Sequence, residues 1–327
     1  MIIRLFKTNQ ITGLFFLLLF QSLVYLNAFL HPFYSEQIIQ HPALYRFMLG
    51  DWIQISWLSA LISFSLVLLQ ALWFNYFIHS TNLLGQPTYL PGFFYVLICS
   101  LFPQNLFVSP SLLANIFLLP GIIGIWQIAH TKSHPRLIFF TAISFSMAAL
   151  IYPPALVLFP WFLWSLFVFS TPMFRHILVA MLGWLLPFFY VLLVYFINDN
   201  VSFFLQDFFI SPFGLPDYRL HTGLMEYIIL AWLLAMLIAS FYRYLQTIHY
   251  YKVVQKRTFR IWGAMLVLLI ASAFFYNFLP FSHIVVVGYP LSIFYSTFFL
   301  HLRKLWISDL LTLLIIVCLL VLQFSVF

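Results

Sequence analysis

Two stretches of this chain hold most of its capacity for acid–base chemistry. Residues 31–52, HPFYSEQIIQHPALYRFMLGDW, carry Glu36, Arg46, Asp51 and two histidines between long uncharged runs. Residues 199–223, DNVSFFLQDFFISPFGLPDYRLHTG, carry Asp199, Asp207, Asp217, Arg219 and His221 among aromatics. The whole chain has only seven acidic residues in 327 positions, so the gathering of five of them, Glu36, Asp51, Asp199, Asp207 and Asp217, in two short stretches calls for an explanation. Carboxylates beside cations are the material of proton transfer and of anion binding. The plainer alternative is that loop charges face water, where an Asp–Arg pair contributes little. Asp51, in LGDW, also suits the N-cap of a following helix.

The elements that position these stretches follow from composition. Hydrophobic residues make up 64% of the chain and charged residues 6%, with a mean hydropathy of +1.05. A soluble domain carries about 25% charged residues, and uninterrupted apolar runs of about 20 residues mark transmembrane helices. Such runs recur along the whole length. We therefore expect an all-α, polytopic transmembrane bundle forming one integral domain over 1–327. The expected helices cover 11–30, 52–78, 88–108, 111–129, 137–152, 155–170, 177–198, 223–242, 261–280, 284–300 and 305–326. That is about eleven, within a range of 10–12, with tight turns at Ser109-Pro110 and Pro153-Pro154. The charged start and apolar core of residues 1–30 imitate a signal peptide. The core is too long and no small-x-small site follows it, so it reads as a retained first helix. Cys99 and Cys318 fall inside apolar runs, and no disulfide is expected.

Charge sets the expected orientation. With the N-terminus in the cytoplasm, the inner side receives Arg4, Lys7, Lys132, Arg136, Arg175, Arg243, Lys252, Lys256, Arg257, Arg260, Arg303 and Lys304. The outer side receives only Arg46 and Arg219, which is the positive-inside pattern. The long loops 31–51 and 199–222 then lie outside and the basic loop 243–260 lies inside, against anionic lipid headgroups. A pI near 9.4 therefore reports orientation, and no nucleic-acid partner is expected. No P-loop, HExxH or GxSxG pattern occurs, and the ten histidines are dispersed. No metal site is expected, although hard oxygen ligands leave a divalent ion open. Glu226 and Asp309 are the acids nearest the membrane, and both lie close to helix ends, which argues against a proton path.

Two further stretches carry resemblances. TNLLGQPTYLPGFFYVLICSLFPQNLFVSPSLLANIFLL and FRHILVAMLGWLLPFFYVLLVYF resemble a family of uncharacterised polytopic inner-membrane proteins of Bacteroidota. The likeness rests on Tyr89-Leu90-Pro91, Ser100 to Pro103, Ser109-Pro110, Asn115 and Leu186-Pro187. It implies the cell inner membrane as the compartment and brings no activity with it. The C-terminal FSHIVVVGYPLSIFYSTFFLHLRKLW is similar to a segment of C-type-fold glycosyltransferases that use polyprenyl-phosphate sugars. That resemblance implies an outer active site with its carboxylate in the first outer loop, on Asp51 or, second, Glu36. Arg46, Arg219 or His221 would then bind the donor phosphate, with Asp199, Asp207 and Asp217 as supporting acids and no obligatory cofactor. Such families usually pair their acids in that loop, whereas Glu36 and Asp51 stand fifteen residues apart. Two other classes stay open: a non-enzymatic scaffold of an envelope machine, whose protein partner the sequence does not identify, and a transporter or flippase of a lipid-linked substrate.

The charge split yields a direct test. Reporter fusions after Lys256 and after Asp207 should report opposite sides of the membrane. Both reporting one side would overturn the orientation.

Overall fold

The computed structural model describes residues 2–7, 11–32, 56–130, 134–169, 174–206, 208, 224–275, 280–302 and 304–325, and among them there is no strand. The helices are α1 (Ile2–Phe6), α2 (Ile11–Leu30), α3 (Ser56–Ser80), α4 (Leu90–Cys99), α5 (Pro110–His130), α6 (Pro135–Ile151) and α7 (Leu158–Phe169). They continue as α8 (Phe174–Ile197), α9 (Val201–Leu205), α10 (Leu224–Thr247), α11 (Val253–Ala273), α12 (Pro280–His301) and α13 (Leu305–Ser325). Seven of these, α2, α3, α5, α8, α10, α12 and α13, are long and apolar enough to cross a membrane. The chain is thus a helical, multi-pass membrane protein.

Eleven spans were expected, and the difference has local causes. The expected helix over 88–108 stops at Cys99. Pro103 forces Phe102 into an extended conformation (φ −110°, ψ 139°), as a proline does to its predecessor, and a single 3₁₀ turn, Pro103–Leu106, follows. A ten-residue helix rises only about 15 Å, half the hydrocarbon thickness of about 30 Å. The expected helix over 155–170 likewise splits. Tyr152 is extended before Pro153, and a 3₁₀ turn, Pro153–Val157, precedes α7. α11 is long enough, but Lys256, Arg257 and Arg260 lie near its start. The expected basic loop 243–260 is itself largely helical, because α10 runs on to Thr247 and α11 starts at Val253.

α12 is the hub, with 83% of its span buried, whereas α8 stands on the flank with 22% buried. All ten residues of α4 are buried, packed chiefly between α12 and α3. Long-range hydrogen bonds define two ends of the bundle. At one end Tyr89 N–H reaches Phe6 O, Gln255 Nε2 reaches Asn82 O, and Arg243 Nη2 reaches His301 O. At the same end Ile3 N–H donates to Asp309 Oδ1 at 3.1 Å, so that carboxylate ties α1 to α13. The described cations, Arg4, Lys7, Arg136, Arg175, Arg243, Lys252, Lys256, Arg257, Arg260 and Lys304, all lie on segments at this cation-rich face. At the far face Val108 N–H meets Ser59 Oγ and Asn27 Nδ2 meets Gln323 O.

Small residues let the flank helices approach, as they do in membranes generally. A Cβ on Gly183 of α8 would stand 2.6 Å from Phe139 O of α6, whereas one on Gly263 of α11 would meet nothing nearer than 3.8 Å. Gly183→Ala should therefore destabilise the detergent-solubilised protein by roughly 1–3 kcal/mol through overpacking. Gly263→Ala should be neutral or slightly stabilising, given the helix propensity of alanine. Equal thermal midpoints for the two variants would contradict the α6–α8 contact.

Candidate functional site

At the far face both helix interruptions converge on the first turn of α12. From the first break, Asn105 Nδ2 donates to Phe281 O at 3.0 Å, and the Phe102 and Phe281 rings lie 4.4 Å apart. From the second, Tyr152 OH lies 2.9 Å from His283 Nδ1. His283 Nε2 lies 2.7 Å from Leu269 O, an obligate acceptor, so Nε2 carries the proton and Nδ1 accepts from Tyr152. Both ring nitrogens of this buried histidine are used, which makes it a fully bonded core residue and leaves no lone pair for a metal.

The first break is held by neighbouring helices. Ser63 Oγ of α3 donates to Asn105 O at 3.5 Å and lies 3.1 Å from Tyr25 OH of α2. Gln323 Nε2 of α13 donates to Ser100 O at 2.9 Å. Deeper in the bundle, Tyr95 OH donates to Gln70 Oε1 at 2.6 Å. Gln70 Nε2 in turn donates to Leu112 O. Asn115 Nδ2 donates to Tyr95 OH and to Val285 O, and the Tyr95 and Tyr289 rings stack at 4.7 Å. Four amide oxygens in this interior, Gln21 Oε1, Asn105 Oδ1, Asn115 Oδ1 and Gln323 Oε1, are buried without a donor. Their orientation is fixed, because each amide nitrogen faces a backbone carbonyl. Such acceptors cost about 1–3 kcal/mol each when unmade, so the far-face interior is suited to a ligand that brings donors.

The acids and bases expected from sequence stand apart from this network. Glu36, Arg46, Asp51, Asp207, Asp217, Arg219 and His221 lie outside the described residues. The helices that flank those segments, α2 and α3 on one side and α8, α9 and α10 on the other, end or begin at the far face. Asp199 is described and exposed, at φ 53°. Its N–H bonds to Phe196 O while Asn200 N–H bonds to Tyr195 O. This is the Schellman pattern with Asp199 as its left-handed residue, a helix-terminating role. Glu226 is half-buried in the first turn of α10 at the same face. Among the described residues no three His, Cys, Asp or Glu side chains are placed to hold a metal.

Sequence reading passed over the uncharged polar residues that build the network. Their signal was available: Gln21, Asn27, Gln70, Asn75, Asn115 and Gln323 interrupt runs that are otherwise apolar, and a buried amide in a membrane needs a partner.

The network can be tested by double substitution. Tyr95→Phe should leave Gln70 Oε1 without a donor and cost about 1–3 kcal/mol. Adding Gln70→Leu removes the stranded acceptor, so the double variant should be no less stable than Tyr95→Phe alone. Simple additivity of the two losses would show that the bond carries nothing.

No curated protein and no solved structure matches this chain. One family model does, over residues 37–326, which takes in both helix breaks, the α12 hub and most of the first acidic stretch. The chain therefore belongs to the DUF6427 family, a family of unknown function.

Proposed function

We propose that this protein sits in the cell inner membrane with its N-terminus in the cytoplasm and acts on a lipid-borne substrate at the far face, which is then the outer one. The observation that carries this reading is the meeting of two buried helix interruptions on the first turn of α12. Irregular backbone at membrane depth persists only where protein encloses it or where it lines a cavity, and discontinuous helices recur at membrane binding sites. The acid-bearing stretches join helices that end at this same face.

Within that frame the chemistry we favour is sugar transfer from a polyprenyl-phosphate carrier. The lipid tail stays in the bilayer and the phosphate lies at the surface. Asp51, or second Glu36, takes the proton of the acceptor hydroxyl as its oxygen bonds to the anomeric carbon. The carbon–oxygen bond to phosphate breaks, and the departing polyprenyl phosphate leaves against Arg46, Arg219 or His221. Asp199, Asp207 and Asp217 would support the site.

A second reading, transport or flipping of a lipid-linked substrate, is favoured by the four buried acceptors within the bundle. A sugar moving inward would supply hydroxyl donors to them. A scaffold reading draws only on the exposed flank of α8.

The two principal readings separate in one assay. Protein reconstituted in vesicles with a polyprenyl-phosphate sugar and a soluble acceptor should release polyprenyl phosphate. Asp51→Asn should slow that release about 10²–10⁴-fold, as loss of a general base does, with insertion unchanged. Movement of the intact donor across the bilayer without release would instead establish transport. Full release by the Asp51→Asn protein would remove Asp51 from catalysis.

A further inference from the structure

A second site lies at the opposite, cation-rich face. A cleft of about 690 Å³ opens where α10 and α12 end and the α3–α4 connection passes. Ligand sites occupy about 300–1,000 Å³. Its polar lining includes Gln86, Tyr251, Gln255 and His301, and Leu84 and Leu300 form its apolar walls. We propose that this cleft binds the phosphate of an anionic lipid headgroup, with the start of the acyl region against the two leucines. The inference rests on the membrane-spanning reading and is independent of the chemistry proposed for the far face.

The lining supplies the Gln86 amide and the Tyr251 phenol as donors, whereas Gln255 Nε2 already donates to Asn82 O and Leu83 O. His301 is the last residue of α12, where the helix dipole favours a positive charge. Its Nδ1 lies 2.8 Å from Thr297 O, an obligate acceptor, so that N–H is spent within the helix end. Arg243 caps the same helix end through Nη2 to His301 O at 3.1 Å. Its Nη1 donates to Gln246 Oε1, while its Nε is buried with no partner. Burial pushes the Tyr251 phenol up, so it keeps its proton. Gly85 stands at φ +76° with open space where a side chain would be, which leaves backbone accessible at the cleft wall.

The charge balance selects the sign of the ligand. Lys252, Lys256 and Lys304 flank the cleft in sequence, on the ends of α11 and α13. Among the described acids only Asp309 lies at this face, and its carboxylate already accepts from Ile3 N–H. A basic recess between membrane helices holds a lipid headgroup by point charge and hydrogen bonding, with the apolar wall continuing into the bilayer. A soluble phosphate would use the same donors and leave Leu84 and Leu300 unused.

The test uses the full chain in neutral detergent and follows its thermal midpoint against added short-chain phosphatidylglycerol, short-chain phosphatidylcholine or inorganic phosphate. Phosphatidylglycerol should raise the midpoint saturably, with at least a tenfold lower half-saturating concentration than either of the others. Gln86→Glu places a negative charge at an exposed position of the cleft, and Tyr251→Phe removes the phenol donor. Each should weaken the phosphatidylglycerol response about tenfold or more, with the lipid-free midpoint unchanged. Equal stabilisation by phosphatidylcholine, or an undiminished response in both variants, would overturn the proposal. A matching response to inorganic phosphate would overturn the lipid as its occupant.

Discussion

Hydrocarbon offers no partner to a peptide group, and each one left unpaired there costs several kcal/mol. Two places in this bundle break that rule locally, after Cys99 and after Ile151, where prolines end a helix before it has crossed a membrane. The surrounding helices compensate. Gln323 donates to Ser100 O, Ser63 to Asn105 O, and Asn105 to Phe281 O. The hub position of α12 follows, because its first turn is where both interruptions find their partners. The short, wholly buried α4 follows as well, since a helix that cannot span must be enclosed.

That arrangement divides the molecule into faces with different chemistry. The far face is neutral among its described interior residues, rich in amide acceptors, and built by helix breaks. The cation-rich face is built by helix ends, with Arg243 on the last carbonyl of α12 and Asp309 on the first turn of α1. One face is suited to a ligand that donates hydrogen bonds, the other to an anion.

The sequence revealed the all-helical membrane class, though not the number of spans, through signals that survive averaging. Long apolar runs announce helices, and the described arginines and lysines lie on segments at one face of the bundle. Prolines at 110, 153 and 154 marked turns, whereas the expected helix over 88–108 ran through Pro103. An apolar run of twenty residues looks the same whether it spans or breaks at Pro103. The pairing of Gln70, Tyr95, Asn115 and Tyr289 was not legible, because bonded partners lie 20 to 174 residues apart and only packing brings them together. Asp199 is a further case. Its charge suggested a site, and its left-handed backbone, which ends α8, was not visible in the sequence.

The account stands on the two interruptions meeting α12, and crosslinking in native membranes measures that most directly. In a background with Cys99 and Cys318 replaced by alanine, Phe102→Cys paired with Phe281→Cys, and Tyr152→Cys paired with His283→Cys, should each join efficiently through a short bifunctional thiol reagent. A Phe102→Cys and Phe174→Cys pair, at the first break and at the opposite end of the flank helix, should not. Failure of both far-face pairs in correctly inserted protein would contradict the convergence, and with it the site built upon it.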